Sequence, residues 1–174
     1  MCRSFYTSAE FLPKVRLFLP KKLDMAEIIN EIPGFEKGRV QHISATDEVS
    51  ESFIVAQMAD VLRKKWYTSV LCISLDGHKE TIESLIPQEK AVSTVYVLNQ
   101  KNPEFEVVLR KAIGIINRRF VRALIISGAE RLTANFFKDR PAKGQEWITN
   151  RLEGLSGGIG LPVILVEVQE KRSL

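Results

Sequence analysis

The chain has 174 residues, 45% of them hydrophobic, with a net charge of +4 and a pI near 9.1. That length accommodates one well-buried domain and is short for two, and the basic residues are spread along the chain, so nucleic-acid binding is allowed but not argued, and a nucleic-acid partner is not expected. Two cysteines, Cys2 and Cys72, supply neither a disulfide framework nor a metal-ligand spacing, which excludes a disulfide-stapled scaffold and fits a reducing cytosol.

Residues 1–22 mix aromatic and basic side chains with Pro13 and Pro20 and follow neither a helical nor a strand period. They are expected to form an irregular arm ahead of a single α/β domain over 23–174. Its apolar residues (Phe5, Phe11, Leu17 and Phe18 among them) suit packing on its own domain, on a second copy in a homodimer, or on a partner. Glu10, Pro13, Lys14 and Arg16 interrupt any signal-peptide core, and no apolar run approaches the roughly 18 residues of a membrane span, so a cytoplasmic protein with no membrane partner is expected.

A short helix is expected from Asp24 to Glu31, closed by Pro33-Gly34, followed by a first strand from Gly38 to Ser44. From Glu48 to Lys65, Ile54, Met58, Val61 and Leu62 recur at helical spacing on one face, with Arg63-Lys64-Lys65 favourable at the C-terminal end. The run from Ser69 to Leu75 is almost continuously apolar, as expected of a central strand buried on both faces, and Cys72 within it reads as a small core residue. A short helix from Lys79 to Ile86 ends at Pro87, and Val92 to Leu98 supplies a third strand. Asn102-Pro103-Glu104 reads as N-cap, first helical position and first-turn acid of a helix whose Phe105, Val108, Leu109, Ala112, Ile115 and Ile116 form one stripe. Ala123 to Ile126 is the fourth strand and Pro162 to Val168 the fifth, with a helix from Gln145 to Glu153 between them. Strands alternating with helices through short connections predict an α/β fold, a mainly parallel central sheet of about five strands covered by helices on both faces.

In open sheets of this kind ligands bind at the carboxyl ends of the strands. There the chain departs from a nucleotide-binding pattern. A phosphate loop, G-x-x-x-x-G-K-[ST], wraps phosphates in backbone N–H groups and adds a lysine and a hydroxyl. If Lys79 is the motif lysine, the glycine positions hold Ile73 and His78, and Glu80 replaces the hydroxyl residue with a group that repels phosphate. Where a metal-holding strand would end in an acid, Ser127-Gly128 stand instead. Asp76-Gly-His-Lys-Glu80 reads as an ordinary polar turn or a degraded phosphate site, and Ser74 and Ser127 as strand-end serines. Gly154-Leu-Ser-Gly-Gly-Ile-Gly160 follows a helix, the reverse of a dinucleotide fingerprint, and is read as a helix cap and flexible connection. His42 and His78 lack zinc spacing, and no G-x-S-x-G turn is present, so no metal, cofactor or catalytic residue is expected. Arg110, Lys111, Arg118, Arg119 and Arg122 bias one surface positive, enough to steer an acidic partner or simply a solvated helix face. Trp66, Tyr67, Phe136 and Phe137 are large aromatics at element edges, fit for core packing or for an interface.

The order of these elements, with Leu62-Arg-Lys-Lys-Trp66 before Val70 to Leu75, then Val95 to Leu98, an Asn-Pro helix start and an Arg-Phe-Val-Arg-Ala-Leu-Ile-Ile run, resembles the SulA-like bacterial SOS cell-division inhibitors. The translesion-synthesis accessory protein ImuA shares the same frame. The resemblance covers roughly Gly38 to Val168 and implies a RecA-like fold without a functional P-loop. It implies a non-enzymatic inhibitor, made after DNA damage, that binds the tubulin-like division protein FtsZ, sequesters its subunits and blocks septation. The family's partner surface falls near the stretch from Trp66 to Lys90, where Trp66, Lys79, Ile82 and Lys90 are the expected contacts by location and chemistry. The family's C-terminal tail is a protease signal, and this chain ends Glu170-Lys-Arg-Ser-Leu174. Two other readings remain at this point: a degenerate P-loop ATPase regulator of transposition, and an accessory to RecA or a translesion polymerase.

Overall fold

The computed structural model describes residues 15–16, 40–66, 68–87 and 93–169, with the side chains of Val15, Arg16, Lys65 and Trp66 excepted. Among these residues lie β1 (Val15–Arg16), β2 (Val40–Ala45), α1 (Glu48–Trp66), β3 (Ser69–Ser74), α2 (Lys79–Leu85), β4 (Val95–Asn99), α3 (Phe105–Arg119), β5 (Val121–Ser127), α4 (Pro141–Ile159) and β6 (Val163–Val168). Short 3-10 turns at Ala129–Arg131 and Asn135–Phe137 link β5 to α4.

The sheet runs in the order β1-β2-β6-β5-β3-β4, and every pairing is parallel. β1 is a two-residue edge addition, so the body of the sheet is the expected five strands. Side chains alternate across it, and two cores result. On one face Ile43, Cys72, Val97, Ile125, Ile164 and Val166 meet Ile54, Met58 and Leu62 of α1 and Ile82 of α2. On the other, Leu71, Ile73, Leu124, Ile126, Val163 and Leu165 meet Phe105, Val108 and Ala112 of α3 and Ile148 and Leu152 of α4. Each interior strand therefore feeds both cores, which is why β3 and β5 read as continuous apolar runs. Cys72 is fully buried with a free thiol, and burial pushes its pKa up to about 12.

Three boundaries differ from expectation for identifiable reasons. α3 begins at Phe105 because Asn102-Pro103-Glu104 are used otherwise: Asn102 Oδ1 accepts the Glu104 N–H, and Pro103 and Phe105 exchange backbone bonds with Thr133. α4 runs far beyond Glu153, so Gly154, Gly157 and Gly158 lie inside a helix rather than in a flexible connection. Ile148, Leu152 and Ser156 keep one buried stripe through that stretch, and the Ser156 hydroxyl donates to the Leu161 carbonyl. This packing outweighs roughly 1 kcal/mol of helix propensity lost at each glycine. The cap itself is Gly160, at φ 66, where a left-handed backbone favours glycine. Within the expected irregular arm, Val15–Arg16 pairs with Ile43 and Ser44 of β2. The helix expected from Asp24 to Glu31 and the rest of the arm lie outside the described residues.

α2 has only seven residues and too little length to hold itself together, so it depends on packing. Its single fully buried anchor is Ile82, which enters the core beneath α1. Ile82→Ala should cost about 2–5 kcal/mol of stability. Urea unfolding checks this, with the midpoint falling and the slope unchanged.

Candidate functional site

A cluster of polar residues sits at the carboxyl ends of β3 and β5. Register pairs Ser74 with Ser127, and strand alternation turns both side chains towards the first turn of α1. That turn is set by Asp47: its Oδ1 accepts the Ser50 N–H at 2.7 Å and its carbonyl the Glu51 N–H at 2.9 Å. The backbone hydrogen bond from Ser50 holds the exposed Asp47 carboxyl below its ordinary pKa. Only Thr46-Asp47 separate β2 from α1, so Glu51 is drawn directly over the ends of the neighbouring strands.

Glu51 is fully buried. Its Oε1 accepts the Gly128 N–H at 2.5 Å. Gly128 sits at φ 73, a left-handed backbone that favours glycine, beside the β3–α2 turn. Asp76 is held from the other side: Ser74 Oγ donates to its Oδ1 at 2.5 Å, and the His78 N–H reaches Ser74 Oγ at 2.9 Å. The Asp76 side chain is 2% exposed. Glu51 Oε2 and Asp76 Oδ2 are both buried without a hydrogen-bond partner among the described residues, and the two carboxyls act on each other's titration.

Two buried carboxyls that act on each other resist being ionised together, so one keeps its proton. Glu51 is that one. Burial, then the neighbouring Asp76 carboxyl, push its pKa up to about 8, against the lowering effect of the Gly128 N–H. Burial also acts to raise Asp76, but the hydrogen bond from Ser74, the neighbouring Glu51 carboxyl and the nearby His78 outweigh it and leave Asp76 below its ordinary value. A third acid, Glu130, is raised by burial while accepting the Val168 N–H at 3.3 Å. His78 Nε2 lies 3.4 Å from Glu48 and 3.9 Å from Asp76, and Arg131 approaches Glu48 and Glu130 at 4.0 and 3.8 Å. The result is an acid-lined strand end at which the Gly128, His78 and Lys79 N–H groups are already engaged. Such a surface repels phosphate. Among the described residues no three His, Cys, Asp or Glu side chains are grouped so as to hold a metal ion.

The expected contact residues are distributed differently from a single patch. Lys79 opens α2 at the carboxyl end of the sheet, its side chain 36% exposed and its Nζ 3.8 Å from Glu83, while its N–H donates to Asn99 Oδ1 at 3.1 Å. Trp66 ends α1 at the opposite end of the sheet. α2 runs back between them, and Arg63 of α1 reaches the Pro87 carbonyl at 3.4 Å. Ile82, expected as a contact, points into the core and is removed from the contact set. Lys90 lies outside the described residues. Phe137 packs against Trp147 at 6.0 Å, whereas Phe136 is 87% exposed. Glu51 escaped the sequence reading, although its place three residues before Ile54 and seven before Met58, on the apolar stripe, marks it as buried.

Among the described residues no helix is long and apolar enough to cross a membrane. No family model matches the chain, and no curated protein matches it.

Because Glu51 titrates near 8 folded against an ordinary 4.5, the folded chain holds a proton that the unfolded chain has released between those values. The stability it contributes is complete below pH 4.5 and is lost as pH rises through about 8, at up to about 1.4 kcal/mol per pH unit. Asp76 works in the opposite sense, its contribution disappearing as pH falls below the ordinary aspartate range. Glu51→Gln places an amide beside Asp76 without titrating. Urea midpoints from pH 5 to pH 9 should therefore fall for the native chain and stay flatter for the variant.

Proposed function

We propose that this chain is a non-catalytic binding protein of the SulA-like kind, which engages FtsZ, sequesters its subunits and so blocks polymerisation and GTP turnover. The observation that carries this reading is the occupancy of the carboxyl strand ends by the chain's own acids. Glu51 and Asp76 fill the place where an open α/β sheet receives its ligand, and the Gly128, Ser50 and His78 N–H groups are spent on protein acceptors. A nucleotide would need those donors free and a cation in place of the acids.

Blocking a polymer asks less of the protein. It needs a complementary surface and no reacting group, and micromolar affinity, about −8 kcal/mol, is within reach of a modest interface. The outer side of α2 supports such a role, since Glu80, Thr81, Glu83 and Ser84 are exposed beside Lys79 while Ile82 fixes the helix from beneath. Lys79 stands at one end of that surface.

Sedimentation of a γ-proteobacterial FtsZ with GTP, with and without excess protein, tests the proposal. Polymer and GTP turnover should fall together as the protein is added, and Lys79→Glu should weaken both effects several-fold without lowering Tm. Unchanged polymer and turnover would overturn it, and ATP binding by the chain would then favour the ATPase-regulator reading.

A further inference from the structure

One surface remains unused by the strand-end cluster and by α2. From Val107 to Arg122 the sequence carries Arg110, Lys111, Arg118, Arg119 and Arg122 and no carboxylate. Lys111 and Arg118, seven residues apart, share one side of α3, and Arg119, Phe120 and Arg122 follow at its end, with about 14 Å of helix between Lys111 and residue 120. Among the described residues the four arginines have no ion-pair partner. Arg118 Nε instead donates to the Gly114 carbonyl at 2.8 Å, Arg119 lies 5.9 Å from the Tyr96 ring centroid, and Lys111 Nζ donates to Gln100 Oε1 at 3.0 Å.

At the end of this cationic track stands Phe120. It caps α3 in the left-handed conformation, φ 53 and ψ 39, and it is the sole non-glycine residue with positive φ among the described residues. A bulky side chain is unfavourable there, where helices usually place glycine. The strained cap turns the ring out of the core, 76% exposed. The helix dipole accounts for Arg118 and Arg119 near a C-terminus. It accounts for neither an outward aromatic in a strained cap nor Arg122 beyond it.

The surroundings of the ring favour one kind of ligand. A protein hot spot sits within apolar contacts that exclude water, whereas Phe120 is flanked in sequence by cations at 118, 119 and 122. An aromatic face ringed by arginines matches a flat π-system that arrives with a negatively charged backbone. We propose that the face from Lys111 to Arg122 binds single-stranded nucleic acid, with a base stacked on Phe120 and phosphates held by Arg118 and Arg122. This goes beyond the binding of FtsZ and does not depend on it.

Fluorescence anisotropy of the full chain with labelled oligo-dT and oligo-U of about 20 nucleotides, across salt from about 50 to 200 mM, tests the proposal. Contact with about three phosphates gives a slope near −2 in log affinity against log salt. Phe120→Gly relieves the left-handed strain, so its Tm should match or exceed that of the native chain while its affinity drops about tenfold at unchanged salt slope. Phe120→Trp should retain affinity. Absence of binding at low salt, or unchanged affinity in Phe120→Gly, would overturn the proposal. Competition by polyglutamate as strong as by oligo-U would also overturn it, assigning the face to acidic protein instead.

Discussion

The carboxyl of Glu51 reaches from the first turn of α1 into the row where β3 and β5 end, without contact with solvent. Ionised and unpaired, it would impose several kcal/mol of desolvation on the fold. The chain avoids this by giving it the Gly128 N–H as a partner and by leaving its proton in place beside the Asp76 carboxylate. One side chain thereby joins α1 to the turn after β3 and the turn after β5. The positions of Gly128, Ser74 and His78 follow from that arrangement, since each either donates into the pair or holds a donor in line.

The same arrangement links the fold to the proposed role. A parallel sheet offers its carboxyl ends to ligands because helix N-termini and strand ends converge there with free N–H groups. Here the donors are consumed internally and the local charge is acidic. Phosphate binding is disfavoured at this end, and the outer side of α2 and the basic flank of α3 are open to other molecules. The two differ in character: α2 is mixed in charge around Lys79, Glu80 and Glu83, while the flank of α3 carries only cations between Val107 and Arg122.

Much of the architecture was legible because burial on both faces leaves a plain mark. Ser69 to Leu75 and Ala123 to Ile126 are apolar without alternation, and both lie inside the sheet with a neighbour on each side and a helical layer on each face. What misled was punctuation. Glycines at 154, 157 and 158 look like a loop until Ile148, Leu152 and Ser156 are seen to continue a buried stripe, and an Asn-Pro helix start yields to backbone pairing with Thr133, which no local pattern encodes. The site was legible in part. Asp76-Gly-His-Lys-Glu80 reads from its place after a central strand as a polar turn or a degraded phosphate site, and Ile82 reads as an outward contact although it anchors α2 inward. Glu51 was passed over because a first-turn glutamate is ordinarily a solvated partner of the helix dipole. Its proton depends on Asp76, 25 residues away in sequence, and coupling of that sort belongs to the folded structure.

The most direct measurement is a carbon-13 NMR titration of the side-chain carboxyl of Glu51, assigned by comparison with Glu51→Gln. A midpoint near 8 would establish that this buried acid keeps its proton through neutral pH beside Asp76. A midpoint near the ordinary 4.5 would show an ionised Glu51 and contradict the account of how the strand ends are closed.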